Sequence, residues 1–550
     1  REGELEAGRI ELEIAASLDP ANSLIRSYLG KAYFEEKRYP LASTQFDLAK
    51  ERDPKDPTPW FYDAVQKQTQ NRPVEALKDI QKSIELNNNR AVYRSKFLLD
   101  RDEAARGSSL ARIFENLGFE RRAVMETAKS LSFDPANHSA HRFLSDTYAN
   151  MPRHEISRVS ELLQAQLLQP INVNPVQPHL AVADLNIITG TGPSAAGFNE
   201  FTPLMERSKP QLVASGIVGN NGTLGNEMVF SKFNERTSIS LGQFHYETNG
   251  FRRNNDLTHN VYNAFIQHAV TSKFNVQAEL RTRGTENGDL SVGFDRKVFD
   301  SLQRRELNED IARVGARYSF SPKQDFIVSG MYSGRSDKIR GTGEAVTGYL
   351  NDGEPFTTGL SAKRQNKNQI DGYQVEAQYL FRDDRFNVIA GASTYHFRNK
   401  REDAADSFQI VDNNLFQSLP PLIKAEYETL LNIPVTKINL PNTISERNVG
   451  YIYSNLNLLR NMNWTLGFSY NAYDPNEGRS INGDHFKVNK ASPKFGLQWD
   501  VTNNSRLRFA WFETVKSALI ANQTLEPTQV AGFNQFFDDL NGTRSRFIGG

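Results

Sequence analysis

Residues 274–283, FNVQAELRTR, alternate strictly between two kinds of side chain. One face carries Phe274, Val276, Ala278 and Leu280, and the other carries Glu279, Arg281 and Arg283. A period of two is produced by a β-strand with one apolar face and one wet face. In a soluble sheet the apolar face covers a core. In a transmembrane barrel it contacts lipid, and the polar face lines the lumen.

Alternation of this kind recurs throughout the second half of the chain. It predicts strands near 211–218, 226–233, 237–247, 260–270, 274–284, 311–320, 325–334, 370–381, 386–398, 446–458, 463–473, 490–501 and 505–514. Tight turns fall at 234–236, 271–273, 321–324, 382–385, 461–463 and 502–504. Long loops are predicted at 248–259, 285–310, 335–369, 399–445 and 474–489. Short turns on one side and long loops on the other are typical of outer-membrane barrels.

The polar faces of these strands predict what would line the lumen. The candidate lining residues are Glu279, Arg281, Arg283, Arg313, Arg317, Gln374, Glu376, Gln378, Lys494, Gln498, Asp500, Arg506 and Arg508. Basic side chains outnumber acidic ones in this set, which favours an anionic or neutral polymer as cargo. The alternative is that these charges pair with one another and brace a closed lumen. A soluble sheet remains the alternative to the barrel itself.

The first 170 residues have a different pattern, in which helix-like segments end at regularly spaced prolines. Pro20 and Pro54 are 34 residues apart, and Pro135 and Pro170 are 35 apart. Within residues 23–56, Gly30 and Ala42 are small, whereas Tyr33 and Phe46 are large. This order resembles the tetratricopeptide repeat, in which paired helices stack into an array. The pattern recurs more loosely over 57–90, 104–137 and 138–170.

The resemblance implies a scaffold that binds a partner on its concave face, which the first helix of each pair lines. The implied groove residues are Ser27, Lys31, Phe34, Phe61, Gln68, Ser108, Arg112, Glu115, Arg142 and Asp146. The expected partner is a periplasmic protein or polymer. The alternative for each of these residues is an ordinary solvated surface.

The change of pattern sets the predicted domains. Residues 1–170 form a periplasmic helical array, 171–210 a Pro-, Gly- and Asn-rich linker, and 211–550 an antiparallel transmembrane β-barrel in the outer membrane. The chain opens in a helical pattern and closes in a strand pattern near Arg546, so we expect a fragment of a longer precursor. Even strand numbers in such barrels then predict at least about 16 strands in the full protein.

Composition excludes several classes of function. The chain has 65 basic and 65 acidic residues and no cysteine, which argues against a nucleic-acid partner and excludes thiolate chemistry. No phosphate-binding loop, catalytic triad or paired-carboxylate site is recognisable, so neither an enzyme nor a cofactor is expected. His138 and His141 are three residues apart on a predicted helix. Without a third ligand nearby, they predict a solvated or capping role and no metal site.

Residues 491–539 contain further motifs. Pro493, Lys494, Phe495, Gly496, Leu497 and Trp499 form one, and Leu507, Arg508 and Ala510 a second. Leu525, Glu526 and Pro527 form a third, predicted to begin a strand. Together they resemble the late barrel of TonB-dependent receptors, which would imply uptake through the outer membrane. Those receptors carry a globular plug before the barrel, and the linker here is too short to hold one.

The order of helical repeats followed by a barrel resembles bacterial exopolysaccharide exporters such as the poly-N-acetylglucosamine porin. This resemblance is one of architecture alone. It implies export or translocation of a surface polymer or other secreted material. Two alternatives stay open: a plug-less uptake barrel of the TonB-receptor type, and a non-conducting anchor for an envelope assembly. The cargo and the oligomeric state are not determined by the sequence.

Overall fold

A helical region is followed by one large antiparallel β-sheet, which confirms the predicted fold class. The structure is a computed structural model that describes residues 5–87, 99–148, 151–171, 210–290, 299–349, 355–383, 385–410, 413–431, 436–439, 443–459, 461–474, 487–502, 505–515, 519, 523–536 and 544–550. The predicted linker, 171–210, lies almost entirely outside these residues. None of the described helices is both long enough and apolar enough to cross a membrane.

The first region consists of consecutive helices. They are α1 (Leu5–Leu18), α2 (Ser23–Glu35), α3 (Tyr39–Arg52), α4 (Pro57–Thr69), α5 (Pro73–Glu85), α6 (Leu99–Asn116), α7 (Glu120–Phe133), α8 (His138–Tyr148) and α9 (Glu155–Leu168). From α2 onward they pack as antiparallel pairs, and the first helices of successive pairs contact one another. This is how stacked helix pairs bury a continuous core.

The turn inside each helix pair has the same backbone geometry. One residue adopts a positive φ in each case, at Lys37, Asn71, Gly118 and Arg153, with values of 57–83°. In the first three pairs the next residue's N–H donates to a carbonyl five residues back, as in Arg38 N to Tyr33 O at 2.8 Å. This is the hydrogen bond of the Schellman C-cap. The repeat therefore extends to the connections.

Gly30 and Phe46 hold the first pair together. A Cβ atom on Gly30 would lie 2.5 Å from Cε1 of Phe46, whose side chain is fully buried. Ala42 and Ala49, one helical turn before and after Phe46, are also completely buried, so the ring belongs to a close-packed core. The small and large positions of the predicted repeat thus meet as complementary shapes.

We expect Gly30→Ala to destabilise the helical region by about 1–3 kcal/mol, because an overpacked core must distort to admit a methyl group. Gly8→Ala is the matched control, since a Cβ there meets nothing within 4 Å and helix propensity favours alanine. Chemical denaturation followed by far-ultraviolet circular dichroism measures both. Equal effects of the two substitutions would contradict the packing role of Gly30.

The sheet is an up-and-down antiparallel meander whose strands follow one another in chain order, with β9 paired to β11 and β14 to β17. Its order is β1 (Pro210–Gly219), β2 (Thr223–Asn234), β3 (Thr237–Thr248), β4 (Leu257–Ala269), β5 (Phe274–Asn287), β6 (Arg304–Ser321), β7 (Gln324–Tyr349), β8 (Pro355–Arg382), β9 (Phe386–Ile410), β11 (Thr443–Leu459), β12 (Met462–Asp474), β13 (Val488–Thr502), β14 (Ser505–Val515) and β17 (Arg544–Gly549). The short β10 (Thr436–Asn439) pairs with β9. A separate hairpin joins β15 (Gln529–Val530) to β16 (Phe533–Asn534).

All thirteen predicted strands exist, but several predicted long loops are wrong. Most of 335–369 is strand, because β7 reaches Tyr349 and β8 starts at Pro355. The region 285–310 is shortened at both ends by β5 and β6. The region 399–445 holds the end of β9, β10, the start of β11 and two helices, α10 (Asn413–Gln417) and α11 (Pro421–Leu431). Sequence alternation misses these extensions because strands that are polar on both faces have no period of two.

The sheet is curled around part of the helical region. We call the face that carries the predicted lining residues the inner face. Residues of β4, β6, β8, β9 and β14 on this face all contact the segment from α7 to the residue after α9. Strands so far apart in the sheet can reach the same helices only if the sheet wraps around them. We call the wrapped space the interior.

Candidate functional site: a closed interior

The interior is closed at one edge, which we call the tight-turn edge because β6 ends and β7 begins there within a few residues, as do β8 and β9, and β13 and β14. Helix α7 is bound to this edge by charge pairs. Lys129 Nζ lies 2.8 Å from Asp500 Oδ2, and Glu126 Oε1 lies 3.2 Å from Arg506 Nη1. Asp500 and Arg506 also pair with each other across the turn. Four charges from two distant parts of the chain therefore form one network.

A buried ion triad fixes the end of α7. Arg382 Nη1 lies 2.8 Å from Asp134 Oδ1, and its Nη2 lies 2.5 Å from Asp325 Oδ2. All three side chains are at most 8% exposed. Asp325 also pairs with Arg317 Nη2 at 2.9 Å. Because removal of one member would leave buried charges unpaired, the triad strongly couples the helical region to β7 and β8.

Helix α9 enters the interior along β6. Arg313 bonds both Gln166 on the helix and Glu279 on the neighbouring strand, and Arg317 donates to the carbonyl of Leu168. Gly315 lies between these arginines on the same face. A Cβ atom on it would lie 2.5 Å from Leu167 Cδ2, so glycine is what lets the helix lie directly against the strand.

Residues 523–536 form a second closing element, which we call the insert. The motif Leu525-Glu526-Pro527 was predicted to begin a barrel strand, and this prediction is wrong. The segment leaves the sheet and occupies the interior, where its one regular element is the hairpin of β15 and β16. Leu525 and Val530 are completely buried in a core shared with strands of the sheet. The sequence of residues 525–527 is typical of a strand, but their backbone binds side chains of the inner face and not a neighbouring strand.

The inner face of β8 binds the start of the insert through backbone atoms. Gln374 Nε2 donates to the carbonyl of Gln523 at 2.9 Å, and Gln378 Nε2 donates to the carbonyl of Leu525 at 2.5 Å. Glu376 Oε2 accepts from the Leu525 N–H at 2.7 Å. These three side chains are spaced two apart on one face of the strand and are 1–2% exposed. We call them the β8 ladder.

Further inner-face residues hold the rest of the insert. Tyr453 donates to Glu526 at 2.6 Å, and Lys494 donates to Gln535 at 2.6 Å. Arg508 donates to the carbonyl of Gly532 at 3.0 Å, with its guanidinium 3.9 Å from the centroid of a neighbouring phenylalanine ring. Every one of these contacts replaces a hydrogen bond that the inner face would otherwise make to water.

The first closing element is the helical segment from α7 to α9, and it contacts the insert. Ser157 Oγ donates to Asn534 Oδ1 at 2.6 Å, and Ser160 Oγ accepts from the Thr524 N–H at 3.1 Å. Thr528 bonds Glu161. All these groups are buried. Helix α9 and the insert therefore form one polar unit inside the sheet.

His141 belongs to this unit, which corrects its predicted solvated or capping role. Its Nδ1 lies 2.5 Å from Glu161 Oε2, and its Nε2 lies 2.9 Å from the carbonyl of Pro135. Burial alone would lower the pKa of His141, but the Glu161 carboxylate and these hydrogen bonds raise it above its ordinary value. Both ring nitrogens face acceptors, so the imidazolium is the form that satisfies them.

His138 behaves in the opposite way, because burial and the charge of Arg317 lower its pKa to about 4. An unfolded histidine titrates near ~6.5, so the unfolded state binds more protons between that pH and about 4. Stability from this group is therefore present at neutral pH and is lost as the pH falls. We expect His138→Gln to flatten the decline of unfolding free energy over this range. An unchanged slope in urea unfolding would contradict this expectation.

The inner face towards the other edge also pairs its charges. Arg283 Nη2 lies 3.0 Å from Glu309 Oε2, and Arg281 Nη2 lies 3.7 Å from the same carboxylate oxygen. Gln498 is buried on the inner face of β13. The basic residues in the predicted lining set thus lie beside carboxylates, carbonyls or the insert. The structure favours bracing by paired charges over a row of unpaired cations.

The predicted groove residues divide into two groups. Ser27, Gln68, Ser108, Arg112 and Arg142 are buried. Two further groove residues, Glu115 and Asp146, bind other residues of the helical region. Arg142 Nε lies 3.0 Å from Asp146 Oδ1, and Thr147 donates to Glu115 at 3.0 Å. Lys31, Phe34 and Phe61 are partly exposed on α2 and α4. Lys31 Nζ lies 5.5 Å from the centroid of the Tyr62 ring.

In the part of the chain that the structure describes, no group of three or more histidine, cysteine, aspartate or glutamate residues could hold a metal ion. The outer face of the sheet is apolar, and many large side chains on it are more than a third exposed. Val314 and Leu280 are each 62% exposed, and Tyr332 and Tyr373 are 52% and 50% exposed. Exposure of this kind on adjacent strands marks a surface that lipid or a partner covers.

No protein-family model and no curated protein matches this sequence. Among solved structures, the chain is similar to the ferripyoverdine receptor of the outer membrane of Pseudomonas aeruginosa, at 8% identity and a TM-score of 0.40 over 56% of this chain and 42% of that one. It is similar to BauA, the ferric preacinetobactin receptor from Acinetobacter baumannii, at 11% identity and a TM-score of 0.40 over 61% and 50%. MamA matches 30% of this chain with 87% of its own, at 17% identity and a TM-score of 0.24. The chain spans half or less of the length of the two receptors.

Proposed function

We propose that this chain is part of a gated outer-membrane exporter, in which a β-barrel carries secreted material and a periplasmic helical array closes it. In this proposal residues 1–170 are the array, 171–210 the linker and 211–550 the barrel. A periplasmic protein or polymer binds the array, as its resemblance to tetratricopeptide repeats implies. The partly exposed Lys31, Phe34 and Phe61 are the best placed predicted groove residues for this contact.

The aromatic rows of the outer face support a membrane location. Tyr318, Phe326 and Tyr379 are aligned across β6, β7 and β8, and Tyr332 is aligned with Tyr373 nearer the other edge. Six residues separate the two rows on β7 and on β8, which at about 3.3 Å per residue is roughly 20 Å along the strand. Outer-membrane barrels carry an apolar band about 25 Å tall between two aromatic girdles. The rows have the residue types of such girdles, and at the usual ~35–45° strand tilt their separation of about 15 Å in height lies within that band.

The charge network between α7 and the tight-turn edge is the observation that carries the gating proposal. Interfaces between domains that move are more polar than permanent cores. Replacing a buried ion pair by apolar side chains of the same volume often leaves a protein equally stable or more stable, so ion pairs are not needed for a permanent contact. Glu126, Lys129, Arg506 and Asp500 are therefore better suited to a contact that opens than to permanent closure. Closure by the array also places control on the side from which exported cargo arrives.

A non-conducting anchor is the second candidate, and one observation favours it. Leu163, Leu167 and Leu168 of α9 belong to the same buried apolar cluster as Tyr395 and Tyr453 of the sheet. Such packing resists opening. Single-channel recording in planar bilayers, with the closing elements intact and released, decides between the two functions. Conduction only after release supports the gated exporter, and absence of conduction in both supports the anchor.

A further inference from the structure

We propose that the β8 ladder binds the backbone of an extended polypeptide in transit, and that the insert occupies this site in the closed state. The inference rests on the proposed function and names its substrate class. Its basis is the way in which Gln374, Glu376 and Gln378 contact the insert. Each makes a hydrogen bond to main-chain atoms of the insert, which every polypeptide carries.

The contacts of Leu525 show the recognition pattern. Its N–H donates to Glu376 at 2.7 Å and its carbonyl accepts from Gln378 at 2.5 Å, so both backbone groups face β8. A residue in an antiparallel ladder presents its N–H and carbonyl to its partner strand in the same way. Here side chains take the place of the partner backbone. The insert itself bends at Leu525 and Glu526, so this likeness to a ladder is confined to one residue. Recognition of this kind gives affinity through the main chain and selectivity through side-chain pockets.

The pocket for residue 525 is apolar. Leu525 is completely buried in the cluster that contains Ile389, Tyr451 and Tyr453. The expected ligand is therefore an extended segment with an apolar side chain at this position. A sequence with alternating apolar residues can present one at each step of two residues.

The ladder has hydrogen-bonding capacity that the insert does not use. The Oε1 atoms of Gln374 and Gln378 are buried and have no hydrogen-bond partner among the described residues. Buried polar atoms almost always have a hydrogen-bond partner. Two such oxygens without one, on the same face of β8, indicate a site that can make more contacts than the insert uses. A longer peptide offers further N–H groups for both oxygens.

The charge of the ladder argues against an anionic polymer as the occupant. Glu376 is at its centre and accepts hydrogen bonds from Leu525, Thr524 and Tyr395. In all three bonds Glu376 is the acceptor, so the centre of the ladder is complementary to a ligand that supplies hydrogen-bond donors. An anionic polysaccharide would bring carboxylates, which only accept hydrogen bonds, next to the Glu376 acceptor. Peptide N–H groups are the complementary chemistry.

The test uses the whole chain with the insert replaced by a Gly-Ser linker of equal length, reconstituted in nanodiscs. The probes are a fluorescent peptide of sequence QTLEPTQV, the same peptide N-methylated at its leucine, and a tetragalacturonate. We expect the first to bind and N-methylation to weaken binding about 10-fold or more, as for loss of a hydrogen bond to a charged group. Gln378→Leu is expected to weaken it as well. Binding of tetragalacturonate alone, or indifference to N-methylation, overturns the proposal.

A second measurement needs no altered insert. In the unaltered chain, excess QTLEPTQV peptide is expected to speed amide hydrogen exchange in residues 523–536, because it competes with the insert for the ladder. Unchanged exchange overturns the proposal. Conduction without peptide binding rejects the polypeptide site and keeps the transport function. Peptide binding by a chain that never conducts supports the site and rejects transport.

Discussion

In planar bilayers, the chain with both closing elements released is expected to conduct in resolvable unitary steps, whereas the unaltered chain stays closed. The release combines replacement of 523–536 by a Gly-Ser linker with the charge reversals Glu126→Arg and Lys129→Glu. The linker removes the insert's contacts to the β8 ladder and to α9. The reversals place like charges opposite Arg506 and Asp500, which repels the helix from the tight-turn edge. Either change alone leaves one closing element in place and is expected to conduct less.

A rescue variant is the control for misfolding. Adding Asp500→Lys and Arg506→Glu to the released chain restores the pairs between α7 and the sheet, and the pair between residues 500 and 506, with their charges exchanged. Conductance should then fall to the level of the chain with the insert replaced alone. If no variant conducts although all retain strand structure by circular dichroism, the anchor function is favoured. If the rescue variant conducts as well as the released chain, the charge network does not close the interior.

Arg382→Met is expected to lower the unfolding free energy by about 3–5 kcal/mol, because it removes the cation from the buried Asp134 carboxylate and one of the two cations from Asp325. Both partners, Asp134 and Asp325, are on different parts of the chain, and each is at most 8% exposed. The helical region should separate from the sheet first, since Asp134 is its link to β8. Urea unfolding followed by the helical circular dichroism signal measures the effect.

Arg398→Met is the matched control for this substitution. Arg398 is also on a neighbouring strand and pairs with Asp371 at 3.0 Å, but its side chain is 58% exposed. An exposed pair contributes about 0–1 kcal/mol, so its loss should be small. A similar effect of both substitutions would show that burial of the Arg382 triad is not what couples helices and sheet.

Sequence periodicity predicted those elements that have one apolar face and one polar face. Strands such as β5 show it because one face is apolar and the other polar, and the helix pairs show it because Gly30 and Phe46 must fit each other. The extensions of β7, β8 and β9 were missed because both of their faces are polar. Residues 525–527 were predicted as strand because their composition suits one, whereas their hydrogen bonds go to side chains inside the sheet.

The sequence by itself determined the order of a helical array and an antiparallel sheet, the strand positions and the face on which each lining residue lies. These are local properties, set by periods of two and by recurring small and large residues. Only the tertiary structure decided what those lining residues contact. Arg382 with Asp134 and Glu376 with Leu525 are brought together from positions 248 and 149 residues apart. No local pattern records such a pairing, and it is these contacts that make the interior closed.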